Sequence, residues 1–252
     1  MYEYAPDFYS YLAPLALRSA DRVVPHLAAA LPIASVADFG CGQGAWLRVW
    51  RATGAAVLGV DGPYVDRSRL LIEAGEFRAA DLGERIDLGR RFDLVQSLEV
   101  AEHLPQAKAQ QFIDTLCRHS ACILFSAAVP GQGGEQHVNE QPLSYWRALF
   151  RDNGYAAVDY LRPLVFADRE IQWWYRYNTI LYVTDEKLAA LREPFRAARI
   201  AEDESLPDYY PLPHRVRNAI VRRLPEAAAS RLARIKSAAA ARRGGYRLGA
   251  RG

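Results

Sequence analysis

Three glycines on alternate positions, Gly40, Gly42 and Gly44, follow an apolar run that ends in Asp38 and Phe39. Without a Cβ, such residues let backbone approach a ligand closely and turn sharply into a helix. Two further apolar runs also end in acids, Val57-Leu58-Gly59-Val60-Asp61 and Phe77-Arg78-Ala79-Ala80-Asp81. A carboxylate at Asp61, about 20 residues beyond the glycines, suits ribose hydroxyls. One at Asp81 can accept a bond from an adenine amino group. Further along, Glu99-Val100-Ala101-Glu102-His103 and His137-Val138-Asn139-Glu140 gather carboxylates and imidazoles into two short segments. Imidazole is the side chain poised to exchange protons near neutral pH.

The glycine loop by itself does not choose its ligand, because Gly40, Gly42 and Ala45 also satisfy the alanine variant of the dinucleotide pattern. Charge separates the readings. A pyrophosphate on the helix N-terminus would lie beside Asp38, and like charges in a partly buried site repel strongly. No Lys-Ser or Lys-Thr follows the glycines, which excludes a triphosphate loop. S-adenosylmethionine has no phosphate and carries an ammonium and a sulfonium, which a carboxylate beside the loop helps to hold. Asp61 does not discriminate, since NAD also calls for an acid there.

With these residues in view, the chain resembles the class I S-adenosylmethionine-dependent methyltransferases over roughly Ile33 to Val183. Asp38 with Gly40, Gly42 and Gly44 matches the family's first motif. Asp61 matches its ribose-binding acid and Asp81 its adenine-binding acid. Phe92-Asp93-Leu94-Val95 with Glu99-Val100-Ala101-Glu102-His103-Leu104 matches the fourth-strand motif. The resemblance implies a Rossmann-like α/β fold, a seven-stranded mostly parallel sheet with helices on both faces and a seventh, antiparallel strand. It implies S-adenosylmethionine as cofactor, S-adenosylhomocysteine as its product, and Asp38, Gly40, Cys41, Gly42, Gly44, Asp61, Gly62, Asp81, Leu82 and Glu99 around it. Glu99 would lie near the methionine end. Cys41 reads as a small filler of the loop and not as a reactive thiol.

The acceptor then enters where the loops after strands four and five converge. Val129 to Pro142 is glycine-rich and polar and carries His137, Asn139 and Glu140. His137 is the candidate base for an acceptor that arrives protonated, or else a hydrogen bonder that stabilises the loop. Glu99 and Asn139 would position it, and Glu140 would position or anchor. His103 is open between chemistry and a structural role. The aromatic run Ile171 to Asn178 is either core packing or a stacking wall made by Trp173 and Trp174 with Tyr9 and Tyr11. Arg176 is then available for an anionic acceptor group.

Short apolar runs alternating with helical segments must position these groups. They predict strands at Ser35 to Phe39, Ala56 to Val60, Glu76 to Ala80, Phe92 to Ser97, Cys122 to Ala127, Ala157 to Leu161 and Thr179 to Val183. Helices are expected at Leu12 to Leu31, with Pro14 and Pro25 as ends or kinks, and at Gly44 to Thr53, Ser68 to Ala74, Lys108 to Arg118 and Leu143 to Phe150. This divides the chain into an N-terminal helical lid (1–32), a core (33–185) and a basic helical C-terminal extension (186–252). Leu188, Leu191 and Phe195 read as one buried helix face.

Composition sets outer bounds. The 252 residues carry 32 basic and 29 acidic side chains, and a net charge of +3 does not describe a whole-body nucleic-acid binder. Cys41, Cys117 and Cys122 are too few and too irregularly spaced for a disulfide framework or a zinc site, so no metal is expected and a cytoplasmic setting fits. The acid near the N-terminus and the lack of an apolar run after it argue against a secretory signal. In the last segment, Arg215 to Gly252, basic residues face a single acid, Glu226. It would decorate the catalytic domain dispensably, packing on it or touching an anionic membrane. The resulting expectation is methyl transfer to a small-molecule acceptor (a natural product, metabolite or sugar-like compound), with oxygen favoured over nitrogen. The rivals are a catalytically silent S-adenosylmethionine-binding module and an enzyme acting on a membrane-associated glycolipid.

Overall fold

The computed structural model describes residues 6–225 and, beyond them, Ala228, Ser230, Arg231 and Ile235, with side chains from Leu12 onward. Seven strands form one sheet: β1 (Ser35–Phe39), β2 (Ala56–Asp61), β3 (Phe77–Ala79), β4 (Leu94–Leu98), β5 (Cys122–Ser126), β6 (Tyr155–Val158) and β7 (Ile180–Thr184). Their order is β3-β2-β1-β4-β5-β7-β6, with β7 antiparallel to both β5 and β6. The order reverses between β1 and β4. A crevice opens there at the carboxyl ends of the strands, the place where open α/β sheets hold ligands.

The sheet is covered on both faces because alternate residues of each strand point to opposite sides. Val36, Leu94 and Leu124 join a core with α1 (Pro6–Ala28) and α2 (Ala45–Ala52), in which Val24, Leu27, Leu47 and Trp50 are fully buried. Ala37, Val95, Ile123 and Phe125 face α3 (Ala109–His119) and α4 (Leu143–Asp152), through Phe112, Leu116, Trp146 and Phe150. Short helices α5 (Arg162–Val165) and α6 (Trp173–Asn178) lie between β6 and β7, and α7 (Asp185–Ala189) and α8 (Leu212–Val221) follow β7. Among the described residues no helix is long and apolar enough to cross a membrane.

Four elements differ from the sequence reading. Helix α1 runs unbroken through Pro14 and Pro25. An interior proline costs about 3 kcal/mol, and burying Val23, Val24 and Leu27 at about 1.5–3 kcal/mol each offsets it. Ser68 to Ala74 is not an α-helix: Asp66 captures the Ser68 amide and hydroxyl, Leu70 is extended, and the Leu71 amide donates to the Gln43 carbonyl. That bond ties the segment to the glycine loop and sets Ile72 under Gly44. Leu188, Leu191 and Phe195 are all buried, yet α7 ends at Ala189, so they do not share a helix. The predicted sixth strand lies two residues earlier, because Asp159 pairs with the buried Arg162 after the strand.

Candidate functional site

A cavity of about 940 Å³ occupies the crevice. Along the sheet its wall presents in turn Asp81 after β3, Asp61 at the end of β2, the glycine loop after β1, Glu99 to His103 after β4, and Gln132 to His137 after β5. Leu12, Ala13 and Ala16 of α1 and Trp173, Trp174 and Tyr175 of α6 complete it. Ligand pockets run to about 300–1,000 Å³, so this one has room for a nucleoside-sized molecule and an acceptor together.

At the β1 end, the backbone does what the glycines allow. Gly40 sits at φ 89, and a Cβ there would fall 2.3 Å from Val100, so the loops after β1 and β4 interlock only with glycine. The Asp61 carboxylate accepts from the Gly42 amide (2.7 Å), the Gly62 amide (2.6 Å) and the Tyr64 hydroxyl (2.8 Å). Asp38 accepts from Gln96 Nε2 (2.8 Å), whose own oxygen takes the Trp50 indole N–H (2.9 Å). Burial pushes Asp38 up to about 7 and Asp61 above the usual aspartate range, and Asp61 raises Asp38 further. Burial also drives the Cys41 thiol well up, which leaves it un-ionised. Two desolvated acids side by side form a seat for a cation and repel an anion. These residues fit S-adenosylmethionine and not a pyrophosphate. Cys41, Gly42, Gly62, Asp81 and Leu82 line the same end, while Gly44 stands behind it as the N-cap of α2.

At the β4–β5 end, Glu99 adopts φ 59, and its amide donates to the Ser126 carbonyl. Its carboxylate accepts from Gln132 (2.6 Å) and Asn178 (3.3 Å). Asn178 also donates to Gln132 Oε1 and accepts from the Tyr210 hydroxyl (2.6 Å). Burial raises the Glu99 carboxyl. Beside it, Glu102 is fully buried, and the Glu102 carbonyl accepts the amides of Val138 and Asn139. Those two bonds bring His137 to within 4.0 Å of Glu102 Oε1. The His137 ring lies edge-on to His103, with ring centroids 4.9 Å apart. Its Nδ1 meets Glu140 Oε1 at 2.8 Å, and Glu140 is itself held by the amides of Gly131 and Gly133. His103 Nδ1 lies 3.1 Å from the Gln136 carbonyl, and desolvation pushes its imidazole below the ordinary range.

Several expected site residues are placed otherwise. Glu140 and the buried Asn139 do not line the cavity; both brace the loop that carries His137. Arg176 also lies off the cavity, because the Phe166 carbonyl captures its guanidinium (3.0 Å) and it rests over the Tyr177 ring. The side chains of Tyr9 and Tyr11, and the membrane contact placed on the end of the tail, lie outside the described residues. Among the described residues, the arginine on the cavity wall is Arg217 of α8, which donates to the Gln132 carbonyl (2.8 Å) and stacks over Trp173. Tyr210 and Arg217 carried no motif. Their only signal was an aromatic pair followed by an amphipathic basic helix.

Of the two expected placements for the segment from Arg215 onward, the described residues show packing on the core. The Asn218 side chain is buried, its carbonyl would lie 2.0 Å from a Cβ on Gly131, and Ser230 contacts the Gln136 amide. Deleting residues 215–252 should therefore destabilise the fold by roughly 2 kcal/mol, a fall of about 4–8 °C in Tm. Turnover should drop with it. Thermal unfolding of the truncated protein checks this, and an unchanged melt would show that α8 rests on the core without holding it.

Likeness to known proteins extends to family and fold. The family model for a methyltransferase domain matches residues 2–191. No curated protein sequence matches the chain. Among solved structures, Streptomyces venezuelae DesVI is 13% identical at TM-score 0.54, covering 73% of this chain and 100% of that one. An O-methyltransferase family protein from Burkholderia thailandensis is 16% identical at TM-score 0.50, covering 70% of this chain and 56% of that one. This chain thus spans little more than half of the latter's length. Magnesium protoporphyrin IX methyltransferase from Synechocystis PCC 6803, solved with SAH, is 20% identical at TM-score 0.48, covering 71% and 86%. With the family model covering most of its length, the chain belongs to the methyltransferase domain family, of the class I, S-adenosylmethionine-dependent type.

Proposed function

We propose that this enzyme methylates a hydroxyl oxygen of a small-molecule acceptor. The observation that carries the reading is one cavity lined by the desolvated acids Asp38 and Asp61, by the cluster of Glu102, His103 and His137, and by Trp173 and Trp174. When bound, S-adenosylmethionine supplies a methyl carbon already activated on sulfonium. Asp38 and Asp61 would hold its cationic and ribose groups, with Asp81 and Leu82 at the adenine. Trp173 and Trp174 offer a flat acceptor stacking surface, and Arg217 offers it a positive charge.

Positioning supplies much of the rate in such a displacement. What remains is the hydroxyl proton, and the cluster around His137 is where it would leave. Glu140 accepts from His137 Nδ1–H, which leaves Nε2 as the basic nitrogen, turned toward Glu102. The division into a lid (1–32), a core (33–185) and an extension (186–252) belongs to the same proposal: α1 and α8 each supply cavity wall, so the acceptor is enclosed from both termini. Incubating the protein with labelled S-adenosylmethionine and a panel of hydroxyl and amine acceptors tests the reading. Mass spectrometry should place the label on oxygen. Labelling confined to nitrogen would overturn the choice of atom, and cofactor binding without any labelled product would favour a silent binding module.

A further inference from the structure

Glu102 presents a physical problem that methyl transfer alone does not answer. It is fully buried, and among the described residues neither of its carboxylate oxygens has a partner at hydrogen-bond geometry, the backbone amides of Glu102 and Ala128 only offsetting part of the burial. A buried carboxyl without partners costs several kcal/mol whether ionised or neutral, and proteins keep such groups where something pairs with them. Its surroundings indicate the partner. Ligand atoms of Glu102, His103 and His137 all lie within 4.8 Å of one another, and all three residues line the cavity.

Both imidazoles are oriented as metal ligands are. His137 Nδ1 meets the Glu140 carboxylate, and His103 Nδ1 faces the Gln136 carbonyl, so one nitrogen of each ring is set by an acceptor outside the three-residue cluster. Outer partners of this kind fix the tautomer and the direction of the ligating nitrogen. The support reaches further out, since Glu140 is pinned by two backbone amides. Gly134 is packed so closely that a Cβ would fall 2.0 Å from His137 Nε2.

We propose that Glu102, His103 and His137 bind one divalent cation, of the borderline kind that accepts imidazole and carboxylate together, such as Mn²⁺, Fe²⁺, Co²⁺ or Zn²⁺. Bonds of about 2.1 Å place neighbouring ligand atoms about 3–4 Å apart, so separations of up to 4.8 Å shorten by roughly 1–2 Å on binding, a shift of about 1 Å or less for each side chain. Three protein ligands leave coordination positions open toward the cavity. An acceptor hydroxyl there would be acidified by the ion, giving its proton to water and keeping the electron pair as the nucleophile. This rests on the O-methylation reading, and makes His137 a ligand and not the base. The cysteine count gave no hint of it, because no thiol takes part.

Mn²⁺ added to the full-length protein without S-adenosylmethionine provides the test, read as loss of the free-ion electron paramagnetic resonance signal. One equivalent should bind to the wild type. Glu102→Gln, isosteric with the native residue, should weaken binding by 100-fold or more, as should His137→Ala. Glu140→Gln, which touches no ion, should weaken it by about 10- to 100-fold. Absence of stoichiometric binding to the wild type would overturn the proposal, as would folded Glu102→Gln and His137→Ala proteins that bind Mn²⁺ normally. Failure of the underlying reading looks different: Mn²⁺ binds at these residues, yet no hydroxyl acceptor is methylated.

Discussion

Turnover by the His137→Ala protein is expected to fall by about 10²- to 10⁴-fold, while affinity for S-adenosylmethionine stays within about twofold of the wild type. The two readouts separate because they belong to different loops. The proposed cofactor groups lie at the carboxyl ends of β1, β2 and β3, whereas His137 lies after β5 and reaches Glu102 after β4. A His137 that only stiffened its loop would cost stability and modest activity, since Glu140 still holds Gly131 and Gly133. Single-turnover kinetics beside calorimetry of cofactor binding makes the measurement, with His103→Ala in parallel. Near-normal turnover in His137→Ala with an inactive His103→Ala would move the acceptor chemistry to His103. Activity in both would mean that positioning alone drives the transfer.

The second large effect concerns Asp38 and has opposite signs for binding and stability. Asp38→Asn should weaken S-adenosylmethionine binding by roughly 1.5–3 kcal/mol, about 10- to 100-fold, because a charge-assisted partner of the cation is lost. The same change should stabilise the cofactor-free protein above pH 7. With a folded-state pKa raised to about 7, neutral Asp38 contributes stability that is fully present below the ordinary aspartate pKa and is lost as pH rises through about 7. Binding runs the other way, since the ionised form holds the cation: wild-type affinity should rise with pH up to about 7 and then level. Asp61, raised in the same direction by burial, adds to both trends. Calorimetry and thermal unfolding between pH 5 and 8 check both signs. A pH-independent affinity that Asp38→Asn leaves unchanged would remove Asp38 from the cofactor seat.

How much was legible in the sequence follows from how local each feature is. Strands β1 and β2 were readable nearly to the residue, because short apolar runs ending in an acid leave little freedom once both faces of the sheet are buried. The acids at 38, 61 and 81 and the glycines could be placed at the carboxyl ends for the same reason. Helix α1 was harder. Its prolines speak locally for a break, and only the packing of Val23, Val24 and Leu27 against α2 decides otherwise. The segment from Ser68 to Ala74 failed in the converse way, since a long-range bond from Leu71 to Gln43 draws it over the glycine loop.

The sequence by itself determined the sheet, the cofactor end of the cavity and the family. These depend on periodicity and on motifs whose parts lie within a few residues of a strand end. Only the tertiary structure decided the acceptor end. There Glu102 meets His137 because the Glu102 carbonyl accepts two amides from a loop some thirty-five residues away, and Arg217 replaces Arg176 because α8 folds back across Gln132. Contacts between distant segments leave no period in the chain, since each is fixed by the packing of everything between them.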